Sequence, residues 1–561
     1  MKHFVNCFLF CVTASFVLFS CRNESTQEIG MNSGYTFPET AVVTGTSENN
    51  LYFLSNTIGT VKTYYIKGYD GVPFVSVRNT VPVFLRLIVN AGGNSDLTAS
   101  QITVTVDDLK AVITRGDKAE SLTFNAFNQT VSSDTFMDFC TLDKVYNNCS
   151  LLAGERENFC KVKNASAAGT ASVAFNIDTP YGLKMYPYTD SDGKKDILIP
   201  AQLAGLILCS PNAVLLSSFN GKNYYINTSA GIMSGAEWDS YKTGYGRTGT
   251  RTRAEAEFNY RLLCMLFDKF YCLQHLRTTD MNYGFNTFCF SHGLEQRLLS
   301  SDPDVYDTAV VEALMGYVDD GHTNYFFPSY YQDASEIAYF RKLSQEYAGS
   351  RYAKLRKLRS DLKAARNEKD GYSGGLRIIN EPATDTPAIA VITFDGFNCS
   401  SDSYFSKRSD IIGANPEDLA PHDSFELFYN ALYTIQHTYP GIKNIIIDDS
   451  INGGGTADTA VYLANIFIRN AALHYRNQLD GSVNAAVYDV DTDLNGSATD
   501  VDSSWDLSKY HVYVLTSEFS FSCGNLLPSI MKDQRDTGVK NVASINLIGQ
   551  TSGGGAGAVM V

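Results

Sequence analysis

Beyond Gly374 the chain alternates short apolar runs with segments of helical period, and this alternation limits its possible folds more than any other feature. The runs Ala388-Ile-Ala-Val-Ile-Thr-Phe, Asn444-Ile-Ile-Ile-Asp, Val512-Tyr-Val-Leu-Thr and Ile545-Asn-Leu-Ile-Gly are short and strongly apolar, as buried strands are. The spacing between them predicts helices over about 424–438, from about 457, and over about 524–533. Strands separated by helices imply a largely parallel sheet with helices against it. In such sheets, sites form beyond the carboxyl ends of the strands.

The upstream pattern is different. From Asn50 to Ala236 apolar residues recur with period two, as in Val61-Lys-Thr-Tyr-Tyr-Ile-Lys and Gln101-Ile-Thr-Val-Thr-Val-Asp, and Gly, Asn and Asp punctuate the runs. The stretch Thr189–Asp196 carries a hairpin signal. The 34 Tyr and 33 Phe of the chain favour extensive sheet. Near Thr252 the period becomes helical. Helices are predicted over 254–270, 285–299 and 304–318, with Ser300, Ser301 and Asp302 as capping candidates before Pro303, and along 334–368. The last stretch carries Arg351, Lys354, Arg356, Lys357, Arg359, Lys363 and Arg366. Such a cluster reads as a solvated helix face, the alternative being a surface that meets acidic substrate.

Composition narrows the setting. With 561 residues, 44% apolar and 19% charged, the chain is long enough for several domains and has ordinary globular usage. A net charge of −15 repels phosphate backbones, so nucleic acid is excluded as a partner. Lys2 and His3 precede the apolar run Phe4–Ser20, the length of a signal segment. The run ends in Leu18-Phe19-Ser20-Cys21, which resembles the bacterial lipobox. That resemblance implies lipidation of Cys21 and anchoring to a bacterial membrane, on the periplasmic or surface side of the envelope. Cys140, Cys149 and Cys160 are close enough in sequence for a disulfide in an oxidising compartment; buried free thiols are the equal alternative.

Three segments could carry chemistry. Ile447-Asp-Asp-Ser-Ile-Asn-Gly-Gly-Gly follows a buried strand, and its glycines let backbone N–H groups approach an oxyanion or a phosphate. It lacks the Lys-Ser/Thr of a nucleotide P-loop. Leu515-Thr-Ser-Glu-Phe-Ser-Phe-Ser-Cys-Gly-Asn runs from strand through a hydroxyl-rich loop into a helix. Ser517, Ser520 and Ser522 are all open to a nucleophile's role; Ser522 is best placed, although a Ser at a helix start is ordinarily an N-cap. Val318-Asp-Asp-Gly-His-Thr supplies His322, one of eight histidines, and a serine hydroxyl needs such a base.

Together these segments resemble the C-terminal-processing (tail-specific, tricorn-like) family of serine peptidases. The ordered motifs are Asp320-Gly321-His322-Thr323, Asn452-Gly453-Gly454, Ser520-Phe521-Ser522-Cys523-Gly524 and Gly549-Gln550-Thr551-Ser552-Gly553-Gly554-Gly555, over roughly 255–561. The resemblance implies a catalytic Ser522 with His322 as its general base. It implies an oxyanion hole from the N–H of Gly453 or Gly454 and of Cys523. The bacterial Ser/Lys branch has a Lys where Gly554 stands, so the Ser/His arrangement is the expectation. Ser450 occupies a position where the family often has Arg, and no PDZ module is recognisable after His322. No acidic residue downstream of Ser522 matches the one used by the Ser/His branch, and the expectation is that the chain stops short of the family pattern.

The expected organisation is a signal peptide (1–21), a linker (22–45), a β-rich region of one or two domains (46–240), a helical segment with His322 (250–372) and an α/β peptidase core (373–561). The expected function is a lipid-anchored endopeptidase acting on peptides or unfolded protein, with no cofactor required. The rival is a peptidase-fold lipoprotein that binds without cleaving; a carbohydrate-active enzyme lacks a convincing carboxylate pair. Asp491, Asp493, Asn495 and Asp502 match EF-hand loop positions and are candidate calcium ligands, against a polar surface loop.

Overall fold

The computed structural model describes residues 39–561 except 54–55, 92–96, 117–119, 135–138, 140–159, 169–171, 210–215, 228–234, 274–279, 324, 326, 371–373, 399–422, 477–478, 480, 482, 493–505, 537–538 and 556–561. It is an α/β segment preceded by helices and by a β-rich N-terminal region.

The period-two runs form two sheets. Seven strands lie in the order Tyr186–Thr189, Lys195–Pro200, Phe74–Ser76, Asn56–Ile66, Val43–Phe53, Tyr224–Asn227, Leu216–Phe219. The hairpin signal at 189–196 closes the first two, with Thr189 opposite Lys195. A five-stranded antiparallel sheet runs Ile102–Val106, Lys110–Arg115, Ser121–Asn125, Thr130–Ser133, Val173–Asn176. Its strands alternate in burial, one face toward the core. One continuous cluster of buried side chains extends from Leu51 in the first sheet to Phe340 in the helical segment, so these regions share a core.

The helix Arg253–Lys269 starts with a capping box: Thr252 Oγ1 accepts from Glu255 N, and the Glu255 carboxylate accepts from Thr252 N. The helix expected over 285–299 is divided into Phe285–Ser291 and Glu295–Leu298, because Gly293 turns left-handed (φ 67°) and stops the first. Asp302 caps Pro303–Val311, as its position before proline predicts. That helix passes into a π-turn, Glu312–Val318, ended by Asp319 in the left-handed region (φ 41°). The expected 334–368 stretch is two helices, Glu336–Gln345 and Arg351–Asp370.

The C-terminal sheet has the order Gly375–Glu381, Thr386–Thr393, Asn444–Asp448, Leu507–Thr516, Val542–Gly549. The last four strands are parallel; the first, not anticipated from sequence, pairs antiparallel along the edge. Helices Ser424–His437, Ala457–Phe467 and Cys523–Gln534 lie where the spacing puts them and pack on a core that includes Ile445, Ile447, Val512 and Val514. A small sheet joins the chain's two parts: Cys160–Ala168 pairs with Val483–Val490, which pairs with Ala472–Arg476.

Asp449 continues the buried face of Ile445 and Ile447 beyond the strand end and is fully buried. Neither carboxyl oxygen has a hydrogen-bond partner. Burial, reinforced by repulsion from Asp448, pushes its pKa well above the usual carboxylate range. The folded state holds this proton to higher pH than the unfolded chain does, so stability falls as pH rises from about 4 toward the raised folded pKa. Asp449→Leu is therefore expected to be more stable than the wild type at pH 7 by about 1–3 kcal/mol. Urea unfolding at pH 4 and pH 7 checks this: the gain should shrink at the lower pH, and a variant less stable at pH 7 would contradict it.

Candidate active site

The loop after Leu507–Thr516 separates its three serines by their hydrogen bonds. Ser517 Oγ donates to Ser450 O. Ser520 is fully buried; its Oγ donates to Asp449 O (2.7 Å) and accepts from Ser517 N (3.0 Å). Both hydroxyls thus tie the serine loop to the end of the neighbouring strand. Ser522 sits at the N-cap of Cys523–Gln534, yet its side chain makes no capping hydrogen bond. Its backbone (φ 58°, ψ −119°) lies in a region that L-residues avoid, at a cost of about 1–3 kcal/mol. The turn is over-determined by its neighbours: Ser522 N donates to Gly554 O (2.9 Å), Phe521 N to Asn452 O (3.0 Å), and Asn525 N and Leu526 N to Ser522 O (2.9 Å each). Gly554 thus contributes its backbone carbonyl to this turn.

The glycine loop meets this turn from the strand Asn444–Asp448. Gly454 has φ 98°, and a methyl there would lie 2.5 Å from Ser522 Cβ and 3.0 Å from Cys523 N. Only glycine permits that approach. Asn452, fully buried, is the joint: its Oδ1 accepts from Gly454 N (2.8 Å), its Nδ2 donates to Phe394 O (3.2 Å), and its O takes the Phe521 amide. Gly453 N donates to Asp395 O (3.2 Å). The Gly453 and Gly454 amides, both expected at the oxyanion hole, therefore already have acceptors. Cys523 is buried, and its Sγ donates to Gly455 O (3.1 Å).

His322 reaches the same place by way of Phe521. Buried Asp320 shapes its turn: Oδ1 accepts from His322 N (2.8 Å) and Thr323 N (2.6 Å), and Oδ2 from Tyr271 Oη (2.6 Å) and Thr323 Oγ1 (2.5 Å). The exposed His322 ring lies 4.9 Å from the Phe521 ring at 55°. Gly321 (φ 82°) lets Phe521 and Tyr352 close over it, since a methyl there would stand within 2.7 Å of both rings. Gly454 thus touches Ser522, and His322 stacks on Phe521, the residue before that serine.

The basic helix is mostly solvated, as its composition suggests, with Arg351, Lys354, Arg356, Lys357 and Lys363 exposed, but one face meets the α/β segment. Asp319 anchors its start, accepting from Ser350 Oγ (2.6 Å) and Tyr352 N (3.1 Å). Tyr352 packs on Phe521 at 4.7 Å. Arg359, Lys363 and Arg366, spaced to share one face, turn toward the α/β segment. Arg366 makes a two-pronged pair with Asp395 (2.9 and 2.6 Å), and Lys363 Nζ adds a contact at 3.0 Å. Burial pushes the Asp395 carboxyl up, but the hydrogen bonds from Arg366 and Lys363 prevail and hold it below the usual range. The cations at 354, 356 and 357 remain exposed. Sequence reasoning missed Asn452, Phe521 and Asp395 as site residues. Asn452 and Phe521 were within quoted motifs; the signal for Asp395 was the i, i+4, i+7 spacing of three cations.

Cys21, Asp493, Asn495, Asp502, Cys140 and Cys149 lie outside the described residues. Asp491 is fully buried and directly follows the strand Val483–Val490, so the calcium-loop pattern is preceded by a strand where an EF-hand has a helix. Among the described residues no group of three or more His, Cys, Asp or Glu is arranged to hold a metal, and no helix is long and apolar enough to cross a membrane.

Residues 390–560, which lie within the α/β segment, match the model of peptidase family S41. The match contains the glycine loop and the serine turn; His322 lies before it. Among solved structures, a candidate peptidase from Parabacteroides merdae ATCC 43184 is similar at 17% identity and a TM-score of 0.32, over 54% of this chain and 76% of that one. A lipoprotein from Streptococcus agalactiae is similar at 14% identity and a TM-score of 0.27, over 53% and 76%. The photosystem II D1 C-terminal processing protease is similar at 15% identity and a TM-score of 0.19; this chain spans 33% of its length and matches over 31% of its own. A search of curated proteins found no match.

Because Gly454 carries the contact between the two loops, Gly454→Ala should force them apart and destabilise the chain by about 1–3 kcal/mol. Urea unfolding of the variant beside the wild type checks this. Unchanged stability would mean the two loops need not touch.

Proposed function

We propose that the chain is a lipid-anchored, exported serine endopeptidase that cleaves peptides or unfolded protein through an acyl-enzyme. The S41 match supports peptide-bond hydrolysis in general. In the proposed reaction Ser522 Oγ attacks the scissile carbonyl carbon as His322 takes its proton. The tetrahedral oxyanion is held by the N–H of Cys523 and of Gly453 or Gly454. Collapse breaks the C–N bond, and the leaving amine takes the proton from His322. Water then attacks the acyl ester, His322 again acting as base, and releases the acid.

One observation carries this reading: Ser522 is held in a left-handed turn at the start of a twelve-residue helix with its hydroxyl uncommitted to the cap. An ordinary N-cap serine spends its oxygen on the helix amides; this one leaves it near the positive end of the helix dipole. The engagement of the Gly453 and Gly454 amides favours the second reading, a peptidase-fold lipoprotein that binds without cleaving. On the first reading, substrate binding turns one of those amides outward. Anchoring through Cys21 on the periplasmic or surface side belongs to the proposal. Calcium held by Asp491, Asp493, Asn495 and Asp502 is a separate proposal that no step of the reaction requires.

The test uses the full chain in detergent, as wild type, Ser522→Ala and His322→Ala. Each is incubated with unfolded casein and the fragments are read by mass spectrometry. Cleavage by the wild type should fall by about 10³-fold or more in both variants. Cleavage that persists in Ser522→Ala would exclude Ser522 as nucleophile, and none by the wild type would leave the binding reading.

A further inference from the structure

Arg359 stands between the two loops that build the site. Its Nη2 donates to Phe519 O at 3.0 Å, three residues before Ser522. Its Nη1 would lie 2.7 Å from a methyl on Gly453, so the guanidinium packs directly on the glycine loop. Its helix neighbours hold carboxylates: Arg351 pairs with Glu518, and Lys363 and Arg366 pair with Asp395. Among the described residues Arg359 pairs with none, and its Nε is buried without a hydrogen-bond partner. A cation in that state is costly to keep unless something other than an ion pair needs it there. The glycine-loop strand has no cation of its own at this end, since Ser450 stands where the resembled family often has Arg, and the Ser450 carbonyl is taken by Ser517 Oγ.

We propose that Arg359 is a positioning residue for the peptidase reaction: from the basic helix it fixes the separation of the glycine loop and the serine loop and brings a positive charge beside the amides meant for the oxyanion. The inference rests on the peptidase reading and deepens it. A planar, permanently charged fork suits this role, because one edge can bond the Phe519 carbonyl while the rest lies against the Gly453 backbone. Lysine would keep the charge but not the second contact. Gly453 is pinned twice by one face of the same helix: Arg359 packs on it, and Arg366 and Lys363 hold Asp395, whose carbonyl takes the Gly453 amide.

The experiment compares Arg359→Ala and Arg359→Lys with the wild type in the full chain, using a peptide that the wild type cleaves from casein. Arg359→Ala should lose about 10²-fold in kcat with KM and thermal midpoint unchanged. Added guanidinium at low concentration should restore part of the loss, and Arg359→Lys should fall between the two. In parallel, amide hydrogen exchange over 450–456 should be faster in Arg359→Ala. A wild-type kcat in Arg359→Ala, or a loss that guanidinium does not restore and that accompanies a lowered thermal midpoint, would overturn the proposal. If the wild type cleaves nothing, the peptidase reading fails and the exchange arm decides alone: faster exchange keeps Arg359 as the bridge between the loops, and unchanged exchange removes it.

Discussion

The contact between the Gly454 backbone and Ser522 is the constraint around which the C-terminal half is arranged. Two adjacent parallel strands, Asn444–Asp448 and Leu507–Thr516, end side by side, and the loops that leave them must cross within van der Waals distance. That crossing is held by backbone groups at Asn452, Phe521 and Gly554, and by the hydroxyls of Ser517 and Ser520 bonding back to carbonyls of the neighbouring loop. The left-handed turn at Ser522 is the strain that remains. A turn of this kind relaxes unless its surroundings hold it, and here four backbone hydrogen bonds and a buried phenylalanine do so.

Phe521 and the basic helix extend this arrangement to His322. The histidine is not on the sheet; it follows the π-turn of another segment and is brought in by a ring stack. The helix Arg351–Asp370 touches every part: Asp319 of the histidine loop caps it, Tyr352 packs on Phe521, Arg359 lies on Gly453, and Arg366 grips Asp395. Displacing this helix would move His322 and the glycine loop together.

Much of the C-terminal sheet was legible because continuous apolar runs such as Asn444-Ile-Ile-Ile-Asp admit few other readings. The edge strand Gly375–Glu381 was not, since its largely exposed residues carry no burial signal. The 285–299 helix was overextended because periodicity does not reveal that Gly293 reverses the chain. Motif order set Ser522, His322 and the glycine loop together as one expected site; the glycine loop touches Ser522, and His322 stacks on the adjacent Phe521. What the sequence could not reveal was the partner of each polar group: that Ser517 and Ser520 bond carbonyls, that Gly454 N–H turns to Asn452, or that the basic helix spends one face on Asp395. Apart from the Gly454–Asn452 bond, which is local, those are contacts between residues 29 to 71 positions apart.

The central claim is that Ser522, alone among the serines of its loop, has an activated hydroxyl. Its most direct test is to treat the intact chain with a fluorophosphonate, digest it, and locate every adduct by mass spectrometry. The account predicts a single adduct, on Ser522, that disappears in His322→Ala. No adduct, or one on Ser517 or Ser520, would contradict it.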